Sequence, residues 1–386
     1  MSSPDIITIT EDEKAAGNFL RLCVRQPPLF ICSIATTETA AIPGISAAGA
    51  NPEVICYTAA ADVEALYYGK ARCLDKIPEN PQGPPSPVII TMAARETLNC
   101  PMIIVDAGNS IKPQVPLLVA GQTPGKSITT PLPVENVQEL LAQGIMIGDN
   151  LGQLGRTLVM GESVPGGTTT ALALMEVLGI GAFGKISGSM PGNNPSLKEK
   201  IITRAMAEKG LVRGSLVSDP LAAVSMMGDP MQIVQAGMAL AASRYTPIIL
   251  GGGTQMLAVA VLIGRLLEQQ NFDQLPAMHH ERCIAAIKNV RLENLGIATT
   301  SWVSEDNYAD IRGLAKQLPA KIPMYAARLN FITSRHKNLQ LYEQGFVKEG
   351  VGAGALALSA FIYLEMDNSD LLPAIEAVYE RIYLSD

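Results

Sequence analysis

The chain has 386 residues, 48% of them hydrophobic and 17% charged, with a formal net charge of −7. That length and apolar content suffice for a large core, in one big domain or two to three ordinary ones. The acidic balance argues against a nucleic-acid or anionic-membrane surface, since both need clustered Lys and Arg. Small molecules or further copies of the chain are the expected partners.

The first residues, MSSPDIITITEDEKAAG, contain no basic region followed by an apolar one, so no secretory signal is read and a cytoplasmic location is expected. EDEKAAGNFLRLCV reads as a helix. Six short apolar runs follow, each closed by small or polar residues: PLFICSIATTET (28–39), EVICYTAAAD (53–62), MIIVDAGNS (102–110), RTLVMGES (156–163), TPIILGGGT (246–254) and IATTSWVS (297–304). This is the pattern of buried parallel strands. Between them lie helical signals such as DPMQIVQAGMALAAS, where Asp229 can cap and Pro230 suits the first turn. The alternation predicts a three-layer α/β/α fold with a mainly parallel, doubly wound, Rossmann-like sheet over residues 30–330.

DKIPENPQGPPSP (75–87) holds too many prolines for a regular element, and GSMPGNNPSLKEK (188–200) reads as a loop ending in a helix start. After about residue 331 the sequence becomes helix-dominated, through HKNLQLYEQG, GVGAGALALSAFIYL and LLPAIEAVYERIY. With the N-terminal helix these predict a smaller helical domain built from residues 1–29 and 331–386. The most apolar tract, 350–364, falls short of the roughly 18 residues that span a bilayer, so it is read as a buried helix.

Cys23, Cys32, Cys56, Cys73, Cys100 and Cys283 form no CxxC pair and read as free, packed thiols. His279, His280 and His336 have no metal-binding spacing. Chemistry at a site here therefore falls to carboxylates, lysines, hydroxyls and backbone.

Three glycine-rich loops stand where strands lead into helices, the places where doubly wound sheets collect ligands. In GESVPGGTTTALALMEVLG (161–179), Gly166 and Gly167 permit close backbone approach, and the N–H groups of Thr168, Thr169 and Thr170 at a helix start favour an anion. The same stretch also serves as a tight turn with Thr168 as N-cap. LGGGTQML (250–257) places Gly251 and Gly252 in a second such turn. In KEGVGAGALAL (348–358), Glu349 opens a strongly apolar helix, either as a general base desolvated by its neighbours or as a capping residue at a solvated end. AGQTPGKSITT (120–130) imitates a phosphate-binding P-loop, but Ala120 stands where the motif needs glycine and no helix is read after Ser127. The segment 34–53, with Thr36, Thr37 and Glu38, reads equally as pocket lining or as an ordinary loop.

Together, the three loops resemble in order and spacing the nicotinate-nucleotide:dimethylbenzimidazole phosphoribosyltransferase family, which makes the lower-ligand nucleotide of cobalamin. GESVPGGTTTALAL is similar to the family's GExGxGNTTxAxA phosphate loop, and KEGVGAGALAL to its GEGTGAAL, which puts Glu349 at the position of the catalytic carboxylate. NNPSLKEKIITRA resembles the segment that supplies a phosphate-binding lysine, pointing to Lys200. Gly167 replaces an Asn, Gly251 an Asp, and Phe346 and Lys348 the usual Arg and Gly, so the chain resembles a divergent branch.

The resemblance implies transfer of phosphoribose from nicotinate mononucleotide to a nitrogenous base such as 5,6-dimethylbenzimidazole, giving α-ribazole phosphate and nicotinate. It implies a homodimer, with no metal and no cofactor. Glu349 would be the general base, and Glu162, Gly166, Gly167, Thr168, Thr169, Lys200, Gly251, Gly252, Lys348 and Gly350 would bind substrate. Two other classes stand beside it: a non-catalytic nucleotide-binding or sensory protein on the same fold, and a P-loop-like nucleotide hydrolase using Lys126 and Mg²⁺.

Overall fold

A computed structural model describes residues 4–46, 52–77, 83–188, 195–269 and 279–384. Eight strands form one sheet: β1 (Ile6–Thr8), β2 (Pro28–Ala35), β3 (Met102–Gly108), β4 (Leu118–Val119), β5 (Thr157–Ser163), β6 (Ile248–Gly251), β7 (Leu295–Thr300) and β8 (Met324–Ala327). Their spatial order is β1-β8-β7-β6-β5-β2-β3-β4, parallel throughout except for β1, which pairs antiparallel with β8. The central strands β2 and β5 are buried along their whole length, which is why they read as unbroken apolar runs.

Alternation along β2 sends Leu29 and Ile31 into one core and Phe30, Cys32 and Ile34 into the other. Helices Val137–Gly152, Gly167–Val177, Pro230–Ala242 and Thr254–Glu268 fill the first layer. Helices Glu13–Cys23, Thr58–Tyr68, Val88–Thr97, Ala353–Tyr363 and Asn368–Tyr379 fill the second. The chain thus adopts the three-layer, doubly wound fold expected of it. None of the described helices is long and apolar enough to cross a membrane.

The strand order places the site. From β2 the chain steps outward through β3 and β4, then returns to the other flank of β2 as β5 and continues to β8. This reversal opens a crevice beyond the carboxyl ends of β2 and β5, where ligands of such sheets bind.

The segment EVICYTAAAD is not a strand: it forms helix Pro52–Ile55 and the start of helix Thr58–Tyr68. Residues 58–66 are all buried, so no polar stripe marks the helical period, and the β-branched and aromatic residues ahead of them look strand-like. Strands β1, β4 and β8, of two to four residues, gave no readable pattern.

Residues 4–29 and 331–384 come together on the second face. Phe19 stacks on Tyr325 of β8, whose hydroxyl donates to the Ala16 carbonyl at 2.8 Å. Helix Ala353–Tyr363 lies across β5 to β8, and helix Asn368–Tyr379 packs on helix Val88–Thr97. Both termini therefore contribute to one helical layer over the sheet.

Helices Val137–Gly152 and Pro230–Ala242 pack backbone to backbone. A Cβ placed on Gly144 would lie 2.3 Å from the Val234 carbonyl oxygen, and one on Gly148 would lie 2.2 Å from that of Met238. Gly148→Ala must push these helices apart. It is expected to cost ~1–3 kcal/mol, read as a lower urea midpoint with an unchanged slope.

Candidate active site

The crevice is closed on one side by a backbone contact. A Cβ on Gly161 in β5 would lie 2.9 Å from the Gly352 Cα, so only glycines let these segments touch. Next to this contact the Val351 N–H donates to the Glu162 carbonyl at 3.0 Å. Two acidic residues far apart in sequence, Glu162 and Glu349, thereby line one cleft of about 400 Å³ of empty space that opens to solvent.

Glu349 sits in a constrained loop. Val347, Lys348 and Val351 have φ of 62°, 34° and 55°, in the left-handed region that β-branched residues rarely occupy, and such strain gathers at functional sites. The loop is held from several sides. Thr300 Oγ1 donates to the Lys348 carbonyl at 2.6 Å, and the Lys348 ammonium reaches Asp306 Oδ2 at 2.6 Å. The Glu349 carboxylate accepts from the Gly350 and Gly354 N–H groups at 3.2 and 3.1 Å and from Thr299 Oγ1 at 3.1 Å. Glu349 does engage a helix start, as its capping alternative held, and that half-buried end lines the cleft.

Two helix N-termini meet at the same cleft. Gly166, with φ of 78°, turns the chain into helix Gly167–Val177, and Thr168 lines the cleft. Gly253 and Thr254 do the same at the start of helix Thr254–Glu268. The buried hydroxyls of Thr169 and Thr254 and the amide oxygen of Gln255 have no partner among the described residues, and Thr254 and Gln255 line the cleft. Buried polar atoms left bare beside two helix dipoles fit an anionic, hydroxyl-bearing ligand.

Glu162, 5% exposed, packs near Asp229, which accepts from Thr170 Oγ1 at 2.5 Å and caps helix Pro230–Ala242. Burial pushes the Glu162 carboxyl up to about 8, aided by the charges of Asp229 and Glu349. Burial also lifts Glu349 to about 7, against its hydrogen bonds from Gly354, Gly350 and Thr299. At neutral pH Glu162 is protonated, a donor as well as an acceptor, and Glu349 is poised between its two forms.

The expected residues distribute unevenly. Glu162, Thr168, Lys348, Glu349 and Gly350 line the cleft. Gly167 faces the Gln255 amide so closely that a Cβ would lie 2.1 Å from its Oε1, so a larger residue there requires the Gln255 side chain to move. Gly251 and Gly252 sit behind the wall, where a Cβ on Gly251 would lie 2.7 Å from that of Ala355, which explains the missing Asp. Lys200 is exposed, whereas Lys198, two residues earlier, is buried and has no ion-pair partner among the described residues. Its burial lowers the ammonium to about 8. Lys198 falls in step with buried Ile202 and Ala205, a helical period that marks it as inward-facing. Sequence reasoning also passed over Ser187 and Asp306, which belong to no motif, and over Gln255 and Thr299, which lie within quoted segments but were not singled out.

The P-loop-like stretch does not lead into a helix; the next one begins at Val137. Its Lys126 is exposed and paired with Glu135 at 2.6 Å. In the segment 34–53, Thr36 and Thr37 are buried in local hydrogen bonds, Glu38 Oε2 accepts from the Ser127 N–H at 3.2 Å, and residues 47–51 lie outside the described ones. All six cysteines are free thiols.

Comparison with known proteins adds three findings. Residues 88–270 match a family model described as a phosphoribosyltransferase, a span that includes Glu162, the 166–169 turn and Lys198 but not Glu349. A UPF0284 protein of Trichodesmium erythraeum is 38% identical over 97% of this chain and 98% of its own, and one of Methanothermobacter thermautotrophicus is 38% identical over 90% and 91%. Two solved structures from Thermus thermophilus share the fold at 14% identity. They are CobT, with a TM-score of 0.53 over 94% of this chain and 89% of that one, and a nicotinate-nucleotide-dimethylbenzimidazole phosphoribosyltransferase, with 0.51 over 98% and 96%.

The raised carboxyls have a consequence for stability. Asp62 and Asp229 stand near 6, Glu349 near 7 and Glu162 near 8, all above their unfolded values because of burial. Each favours the folded state while protonated, and that contribution is lost as pH rises through the folded value. The melting temperature of the free protein is expected to fall between about pH 4, where the unfolded carboxyls ionise, and about pH 8, and Glu162→Gln should flatten the upper part of that fall. A wild-type melting temperature that stays level across this window contradicts the assignment.

Proposed function

The chain belongs to the UPF0284 family, and we propose that it is a pentosyltransferase moving phosphoribose from nicotinate mononucleotide to a nitrogenous base, with release of nicotinate. The observation that carries this reading is the Glu349 carboxylate, held by Gly350, Gly354 and Thr299 in a cleft met by two helix N-termini and the bare Thr254 hydroxyl. The phosphoribosyltransferase model over residues 88–270 supports it.

The helix starts at Gly167 and Thr254 take the 5-phosphate, with Thr169 and Thr254 hydroxyls donating to it. The neutral carboxyl of Glu162 and the amide of Gln255 face the ribose hydroxyls. The leaving pyridine nitrogen already carries a positive charge, so its departure needs no acid. The incoming base loses a ring N–H proton as its bond to the anomeric carbon forms, and Glu349 takes that proton. Lys198 supplies a cation on the phosphate side in preference to the solvated Lys200. The acceptor is a nitrogenous base of the class that includes 5,6-dimethylbenzimidazole, and the enzyme acts as a cytoplasmic homodimer, as the family resemblance implies. A nucleotide hydrolase built on Lys126 finds no support in that residue's exposed pairing with Glu135.

Incubation with nicotinate mononucleotide and a panel of bases, followed by nicotinate release and product mass, tests the activity directly. Binding of the nucleotide with no nicotinate released, whichever base is added, identifies a binding or sensory protein instead.

Glu349→Gln is expected to lower kcat by ~10²–10⁴-fold while nicotinate mononucleotide still binds. Turnover within about threefold of wild type, under ~1 kcal/mol of barrier, removes Glu349 from the role. In the wild type, kcat/KM should rise with pH and level off above about 7, as the carboxylate form is the base. Lys198→Ala should raise the nucleotide KM about tenfold or more and Lys200→Ala leave it unchanged, as steady-state kinetics would show.

A further inference from the structure

Lys348 is a buried cation in the wall of the cleft. It is 5% exposed, and its ammonium lies 2.6 Å from Asp306 Oδ2, which also accepts from Ser187 Oγ at 2.6 Å, while Oδ1 accepts from the Tyr308 N–H at 3.0 Å. Lys348 and Ser187 line the cleft and Asp306 does not, so the ion pair presents its positive end to the ligand space. Among the described lining residues Lys348 is the one cation, set beside the two acids Glu162 and Glu349. An ammonium has three donors, and Asp306 occupies one of them. A buried lysine is expensive to desolvate, and the strained backbone at Val347 and Lys348 adds to that cost.

The proposed donor carries two anionic groups, the phosphate and the pyridine carboxylate. The helix starts at Gly167 and Thr254 account for the phosphate, which leaves one anion for one further positive feature. Lys348 is that feature, and it directly precedes the residue that faces the reacting carbon.

We propose that Lys348, fixed by Asp306 and Ser187, binds the carboxylate of the leaving pyridine and so makes the site select the acid mononucleotide over its amide. This rests on the phosphoribosyl transfer proposed above and names what sets its donor specificity.

Steady-state kinetics with nicotinate mononucleotide and nicotinamide mononucleotide, against one acceptor base, compare wild type, Lys348→Arg, Lys348→Met and the double variant Lys348→Met with Asp306→Asn. The double variant removes the uncompensated aspartate that the single one leaves buried. Wild type is expected to prefer the acid. In the methionine variants KM for the acid should rise roughly 30-fold or more with little change for the amide, and arginine should keep the preference. Three results overturn the inference: an unchanged preference; a parallel rise in KM for both nucleotides, which marks a phosphate ligand; or a parallel fall in kcat with the preference intact, which marks a loop anchor. Calorimetric titration of free nicotinate and nicotinamide reads the same preference without turnover. A protein that binds the acid selectively through Lys348 but transfers nothing keeps this inference and loses the transferase reading, and one that shows no selective binding loses the inference.

Discussion

At the carboxyl end of the central strand β5, the chain touches itself with no side chains between. Gly161 and Gly352 meet at a distance that any Cβ would forbid, and the rest of the cleft follows from that contact. It draws the loop ahead of helix Ala353–Tyr363 against the sheet, sets the Val351 N–H on the Glu162 carbonyl, and turns Glu349 toward the crevice left by the reversal of strand order. Gly354 extends the same approach, since a Cβ there would lie 2.2 Å from the Thr299 carbonyl carbon, and this seats the helix start over β7. The site is thus made by omission at three glycines.

The same closeness forces an electrostatic arrangement. Asp229 and Glu162 are buried, Glu349 is half-buried beside them, and three carboxyls so close resist ionising together. Glu162, flanked by both other carboxyls, holds its proton most firmly, and Glu349, with three hydrogen bonds to its charged form, holds its own less so. One fold therefore offers a neutral acid group and a ready base within a single cleft. The Lys348–Asp306 ion pair lies beside them, and Lys348 is the one cationic side chain among the described lining residues.

Much of this was legible in the sequence wherever a local rule carries the information. Asp229 followed by Pro230 announced a capped helix, and the cap is a full capping box with Gln232. Glu162 and Glu349 stood out because glycines and a helix start surround each. Legibility failed where burial erased the pattern, as in helix Thr58–Tyr68, and where a residue's neighbours are distant in the chain. Asp306 reaches Lys348 across 42 positions with no motif at either end. Lys198 was within reach of periodicity, but similarity to a known segment drew attention to Lys200 instead. The substitutions at 167 and 251 looked like losses in the sequence, yet each leaves space that the Gln255 amide or Ala355 fills.

The pairing of β1 with β8 has a meaning for how the molecule comes to exist. Residues 6–8 find their partners only when residues 325–327 have been made, and the second face of β5 to β8 waits for helix Ala353–Tyr363 to cover it. A ribosome delivering this chain from its N-terminus holds an unsealed sheet until residues 353–363 have emerged. Glu349 emerges just ahead of that helix, so a chain cut short before it is both open to aggregation and without one wall of the cleft.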